Sequence, residues 1–360
     1  MTSPTRTPAH PCQGCGASVA FAPGTALLRC PYCGLEQRIA APAVAIREHS
    51  YDAFLSAKPR VQALARNRFS CPGCGARTES DALSRACQFC GTPLVADLAN
   101  DSQIAPEAVL PFALDRGGAR QALRGWVKTR WFAPNRLKTV TEAETMKSTY
   151  LPHWTFDAQT ASDYTGQRGE HYYVTTTHTD ANGNKQTRRE RRTRWYPASG
   201  QVRRGFDDVL VGATGQVPGE RLKALQPWPL EQALPFDARY VAGHHSLRYD
   251  TEPQAGLEQA KQVMAEVIQG DCRRDIGGDV QRVHTVDTHY SQVTFKLVLL
   301  PVWIGSYLFG GKTYQVLING ANGEVQGDRP YSAVKIAMAV LAALAVVATI
   351  GCWIYLENRA

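Results

Sequence analysis

The chain has 360 residues, of which 44% are hydrophobic and 20% charged, with a formal net charge of +8 and a pI near 9.0. That balance excludes an intrinsically disordered chain and leaves enough apolar material for a substantial core. Ten cysteines follow a start, Met1-Thr-Ser-Pro-Thr-Arg6, with no apolar run after its first charge, which argues against a secreted disulfide framework and for a reducing cytoplasm.

Eight of the ten cysteines form four Cys-x-x-Cys-Gly knuckles: Cys12/Cys15, Cys30/Cys33, Cys71/Cys74 and Cys87/Cys90. Gaps of 14 and 12 residues group them in two pairs, the spacing of two tetrahedral zinc ribbons, expected at 1–40 and 70–98 with one Zn(2+) each, two per chain. Two residues between thiolates let one turn aim both sulfurs at one metal, and the glycine after each second cysteine permits a left-handed backbone. A thioredoxin-like redox pair would need a single Cys-x-x-Cys entering a helix, whereas here the knuckles recur at an offset of 59 residues with Pro31, Pro72, Gly14 and Gly73 in or beside them. Ribbons replace a core too small to fold alone, so they are read as structural. Residues 41–69 are expected to be a linker with a helix over Tyr51–Phe69, broken at Pro59 and basic along Arg60, Arg66 and Arg68.

Residues 105–332 read as an antiparallel, β-rich α+β domain. Helical patterns fall at Arg116–Thr129, Glu220–Leu225 and Gly256–Gly270, the last with Leu257, Ala260, Val263, Met264 and Val267 as its apolar positions. Strands are expected at Tyr150–Thr160, His171–Thr179, Gln186–Tyr196, Val209–Gly212, Gln281–Tyr290, Gln292–Leu308 and Thr313–Val325, with turns at Asn182-Gly183, Asn319-Gly320 and Asn322-Gly323. No run of βαβ units suggests a nucleotide-binding doubly wound sheet. Gly310-Gly311-Lys312-Thr313 ends like a phosphate loop but leads into a strand instead of a helix, so it reads as a turn. Arg273-Arg-Asp-Ile-Gly-Gly-Asp279 reads as a helix stop and turn.

Between Gly183 and Arg204 eight basic residues face one acid, Glu190. Arg188, Arg192 and Arg194 fall on one face of the expected strand and Arg189 and Arg191 on the other, so neither face looks buried. Such an exposed ribbon suits phosphates of nucleic acid, anionic lipid headgroups, an acidic protein, or plain solvent. His153, His244, His245, His284 and His289 form no catalytic constellation, and Cys272 and Cys352 lack knuckle partners and read as packing residues.

Residues 336–356 run for 21 residues without a charge, long enough at about 1.5 Å per residue to span a hydrocarbon core of about 30 Å, with Trp353 and Tyr355 placed for an interfacial belt. Four residues follow it, so the chain is expected to be tail-anchored and single-pass. Arg329 and Lys335 before the span, against Arg359 and Glu357 after it, orient the N-terminal bulk to the cytoplasm.

Thr129-Arg-Trp-Phe-Ala-Pro134, Tyr150-Leu-Pro-His-Trp-Thr-Phe-Asp157, Thr193-Arg-Trp-Tyr-Pro-Ala-Ser-Gly200, Phe206-Asp-Asp-Val-Leu-Val211, Arg273–Asp279 and Gly323-Glu-Val-Gln-Gly-Asp-Arg-Pro-Tyr331 resemble a bacterial family of TFIIB-type zinc-ribbon membrane proteins over roughly 71–335. Members often carry a primosomal protein N′ or superfamily II helicase-like label, but this chain has no Walker A and no other catalytic motif, so no enzyme is expected. The resemblance implies SPFH-type (flotillin-like) or phage-shock-protein-A-like partners at the membrane and carries over only the knuckle cysteines; the ribbon Cys12–Cys33 is an added copy. The reading is a tail-anchored zinc-ribbon adaptor on the cytoplasmic face of the bacterial inner membrane. The alternatives are a membrane-tethered nucleic-acid binder and, third, an enzyme of unknown type.

Overall fold

A computed structural model describes residues 11–40, 45–56, 67–70, 77–80, 82–86, 93–95, 104–129, 145–179, 185–309, 312–327 and 332–357. Its strands, in chain order, are β1 Ala20–Ala22, β2 Leu27–Arg29, β3 Glu36–Arg38, β4 His49–Ser50, β5 Asn67–Ser70, β6 Arg77–Ser80, β7 Ala82–Ala86, β8 Pro93–Val95, β9 Ala108–Val109, β10 Thr145–Thr179, β11 Lys185–Gly212, β12 Leu234–Pro235, β13 His245–Leu247, β14 Val280–Phe309, β15 Lys312–Asn319 and β16 Val325–Gly327. The fold is α+β, dominated by an 11-stranded, mostly antiparallel sheet, beside a three-stranded sheet β1-β2-β3 and a pair β5-β6.

Two long strands form the axis of the large sheet. β10 and β14 pair antiparallel from Thr145/Ser306 to Gly169/Val280. Shorter strands tile their outer edges: β13 and then β11 along β10, and β15, β9 and β4 along β14. The segments expected as Tyr150–Thr160 and His171–Thr179 are therefore one strand, as are Gln186–Tyr196 with Val209–Gly212 and Gln281–Tyr290 with Gln292–Leu308. Residues 49–50, within the expected linker, add to the sheet as β4, and the linker helix is described over Tyr51–Ser56. The turn at Asn182-Gly183 lies outside the described residues.

The sheet carries a waist at Asp157. Register shifts place Asp207 and Asp208 of β11 against Asp157 on one side, and Gln292 and Val293 of β14 against Ala158 on the other. Asp208 (φ 51) and Gln292 (φ 52) are the non-glycine residues with positive φ among those described. Two bulges at one level re-aim the side chains there, a conformation that costs about 1–3 kcal/mol each and persists only where surrounding contacts hold it.

Beyond the waist the helix Pro253–Ile276 packs on the sheet. Pro253 opens it at N1 and Gly277, at φ 65, closes it, so the Arg273–Asp279 segment is the helix stop its composition suggests. Its buried stripe runs through Gly256, Ala260, Met264, Ile268, Cys272 and Ile276 at every fourth position, onto Trp154, Phe156 and Phe295. Val267, expected in that stripe, is exposed, and its neighbour Ile268 takes the buried place. Gly256 is required by the approach, since a Cβ would stand 2.9 Å from Trp154 Cδ1. Helix Arg116–Lys128, capped by Asp115 accepting from the Gly118 N–H at 2.7 Å, buries Ala119, Leu123 and Val127 near the other end.

The last helix, Ala333–Glu357, follows β16. Ile336, Met338, Leu341, Leu344, Val346 and Trp353 are all exposed on it, and at 100° per residue these positions point all round the axis. Over the described residues no helix is long and apolar enough to cross a membrane.

Candidate functional site

The first two knuckles fold alike. The Cys12 N–H donates to the Ala17 carbonyl at 2.7 Å and the Gly16 N–H to the Cys12 carbonyl at 2.9 Å; Cys30 to Leu35 (2.9 Å) and Gly34 to Cys30 (3.0 Å) repeat the pattern. Both knuckles turn through a glycine at φ 74, Gly16 and Gly34, where a side chain would be strained. The β1-β2-β3 sheet carries one knuckle before it and the other between β2 and β3. All four sulfurs, of Cys12, Cys15, Cys30 and Cys33, come within 4.8 Å of one another, with Cys12–Cys33 at 3.4 Å and Cys15–Cys30 at 3.5 Å.

A tetrahedron with Zn–S bonds of about 2.3 Å has sulfurs about 3.8 Å apart, so the spacing fits one zinc. The electrostatics fit too. The Cys33 amide holds the Cys30 thiol down to about 6. The Leu35 amide pulls Cys33 down, but the crowded Cys12 and Cys15 sulfurs push harder and take it up to about 12. Four thiolates at this separation repel without a cation between them, and zinc would supply that charge and hold the turns. Of the eight expected ligands these four are brought together; Cys71, Cys74, Cys87 and Cys90 lie outside the described residues.

The ribbon is not freestanding. Its buried Val19, Phe21, Leu28 and Ile39 join one cluster with Tyr150, Tyr240, Val241 and Ala242 of the large domain. The Phe21 N–H donates to the Ala242 carbonyl at 3.0 Å and the Gly24 N–H to Phe112 at 2.8 Å, while the Phe21 and Tyr240 rings meet edge-on at 5.4 Å. The four-cysteine cluster is thereby tied to the sheet.

No family model matches the chain, and no solved structure does. It is similar to the uncharacterized protein YdjG of Bacillus subtilis strain 168, 25% identical over 254 residues, which is 69% of this chain and 70% of that protein. The likeness carries no activity with it.

A second group, which no spacing in the sequence signals, gathers at the waist. Lys296 Nζ lies 2.8 Å from Glu48 Oε1 and 2.6 Å from Asp208 Oδ1, and Asp157 accepts from the Asp208 N–H at 2.6 Å and the Thr294 hydroxyl at 2.8 Å. A cavity of about 100 Å³ opens beside it, lined by Ile46, Ala108, Leu230 and Ala233. The carboxylates of Glu48, Asp157 and Asp208 converge as metal ligands would, but the Lys296 ammonium already supplies the cation between two of them. This is an ion-pair network that fastens residue 48, just before β4, to β11 and β14.

Burial, with the Glu48 carboxyl against it, pushes Asp157 up to about 6, above the roughly 3.9 of an unfolded chain. Between those values the folded protein holds a proton that the unfolded chain has released, so this group's contribution to stability falls as pH rises through the window. The urea midpoint of the native protein relative to Asp157→Asn is expected to rise when pH drops from about 7 to about 5. A difference independent of pH would count against this assignment.

Among the histidines, burial takes His153 and His244 down to about 4, so both stay neutral at physiological pH. His244 stacks on Phe112 at 4.8 Å. His284 and His289 stand exposed on β14, and Cys272 is fully buried in the sheet-facing stripe of the long helix.

Proposed function

We propose that the protein is a tail-anchored zinc-ribbon adaptor on the cytoplasmic face of the bacterial inner membrane. The observation that carries the reading is the helix Ala333–Glu357, whose described apolar side chains, from Ile336 to Trp353, stand exposed on every side. Between Lys335 and Glu357 this helix carries no charge and no polar face, so it needs either a protein interior or lipid around it. Residues 336–356 supply that single span, with the bulk cytoplasmic. The four-cysteine centre supports the same compartment, because zinc thiolates persist where thiols stay reduced. A second zinc at Cys71, Cys74, Cys87 and Cys90 belongs to this reading.

The adaptor role rests on the resemblance to TFIIB-type zinc-ribbon membrane proteins, which points to SPFH-type or phage-shock-protein-A-like partners. The test is affinity capture of the full chain from detergent-solubilised membranes, with and without nuclease. We expect one of those two protein classes to be retained after nuclease treatment. Recovery of neither, or loss of every partner to nuclease, would count against the adaptor.

A further inference from the structure

The three-stranded part of the sheet ends where β14 begins, at Val280 opposite Gly169. Beyond it β10 and β11 continue alone for ten register pairs, Glu170/Arg194 to Thr179/Lys185. At about 3.4 Å per residue this is an arm of about 34 Å. Its base is braced: the Asp279 carboxylate accepts from the His171 N–H at 2.6 Å, the Asp279 N–H donates to the Gly169 carbonyl at 2.9 Å, and the Arg282 guanidinium stacks 4.0 Å over Trp195.

Arg188, Arg189, Arg191, Arg192 and Arg194 are all exposed on it. Directly paired residues share a face, so one face holds Arg189 and Arg191 with Tyr173, Thr175 and Thr193, and no acid among its described side chains. The opposite face holds the other three arginines and two acids, each already engaged: Glu190 by Arg192 at 3.1 Å and Glu170 by Arg168. Arg189 lies 4.2 Å over Tyr173 and Arg194 5.2 Å over Tyr172, which holds these guanidinium groups along the ribbon. A two-stranded ribbon exposed on both faces is marginal by itself, and a solvated edge needs charge only along its rim.

Register also fixes where the arm stands. β16 pairs β15, which pairs β14 near Gly305, and Gly305 pairs Met146. The C-terminal helix therefore leaves from the Thr145 end of β10, while the arm lies at the other end, about 25 residues or roughly 80 Å along the strand. That is many Debye lengths from the point of anchorage at physiological salt.

We propose that this arm binds duplex DNA by entering its major groove and engaging the flanking phosphates without sequence preference. The groove, about 12 Å wide, admits a two-stranded β-ribbon, whereas the major groove of duplex RNA is too narrow. A protein surface or a bilayer would meet one face of the arm; a groove meets both, which is where the arginines are. Arg, Thr and Tyr are donors suited to phosphate oxygens. The proposal goes beyond the adaptor reading and stands without it.

The test uses the full chain in detergent and a mixed-sequence duplex of about three helical turns, followed by fluorescence anisotropy against salt. Five neutralised phosphates give a slope of about −4.5 in log affinity against log salt, roughly a 500-fold loss between about 50 and 200 mM. Substituting Ser for Arg189 and Arg191 alone, or for Arg188, Arg192 and Arg194 alone, is expected to weaken binding, and all five together to abolish it. Five Arg→Lys substitutions are expected to retain the slope, which separates lost charge from lost fold. A native slope shallower than about −1, binding that survives the five serines, or loss confined to one face would overturn the proposal. So would polyglutamate or phosphatidylserine vesicles competing as well as DNA, which would point to an acidic protein or the membrane instead.

Discussion

Replacing Cys30 by serine is expected to remove the zinc of the first ribbon, one of the two proposed per chain, and to unfold residues 11–40 while leaving the proposed second ribbon loaded. The expectation follows from closure. Cys12, Cys15, Cys30 and Cys33 converge on one point, and each knuckle positions its thiols with only two short backbone turns. With three thiolates left, the remaining interior of Val19, Phe21, Leu28 and Ile39 is too small to fold alone. The change should reach the large domain, because Phe21 leaves Tyr240 and the Ala242 carbonyl loses its donor. Trypsin should then cut at Arg29 and Arg38 in the variant and spare them in the native protein. Cys71→Ser should give the mirror result, with one zinc kept and residues 11–40 still protected. Zinc analysis decides: two per chain unchanged in the Cys30 variant, or both lost together, would contradict two independent centres.

Lys296→Met is expected to destabilise the protein by about 3 kcal/mol, because it leaves the Glu48 and Asp208 carboxylates facing each other beside Asp157 without a cation. The figure sits at the low end for breaking a buried pair because Glu48 and Asp208 keep 38% and 30% of their side chains exposed, whereas Lys296 keeps 11%. Burial alone would lower the Lys296 pKa; Asp208 and Glu48 outweigh it and raise it, so the ammonium stays charged across the neutral range. Adding Glu48→Gln and Asp208→Asn to Lys296→Met should recover most of the loss, since neutral groups need no counter-ion. Urea midpoints of the single and triple variants give the answer. A triple variant as unstable as the single one would mean that the methylene stem of Lys296, not its charge, holds the waist.

The contrast between these two groups shows what kind of information a sequence displays. The knuckles are legible because their ligands lie two residues apart and their turns are local, so spacing alone states the geometry. The waist joins Glu48 to Lys296 across 248 residues, and no periodicity encodes that meeting. The α+β class and the basic ribbon were readable from alternation and composition, but the length of the strands was not. Gly166 and Gly169 lie between the two expected strands Tyr150–Thr160 and His171–Thr179, yet a Cβ at Gly166 would stand 2.3 Å from the Arg282 carbonyl, and one at Gly169 would meet Val280, Thr193 and Trp195. They are strand residues chosen for close approach, not turns. Pro197 likewise sits inside β11, which among the described strands pairs only with β10 and so has an open side for a residue without an N–H. In the long helix, Val267 and Ile268 are both apolar, and only the packing of the helix on the sheet selects the second for burial.

The helix Ala333–Glu357 is the proposed anchor, and the proposed placement of the zinc ribbon and the arm at a bilayer depends on it. Bacterial membranes carrying the full chain, or a chain stopped after Ser332, can be washed with alkaline carbonate and each fraction probed for the protein. The account predicts that the full chain stays in the washed membrane pellet and that the shortened chain is found in the soluble fraction with its zinc. A shortened chain that remains in the pellet, or a full chain that the wash releases, would contradict anchorage by this helix.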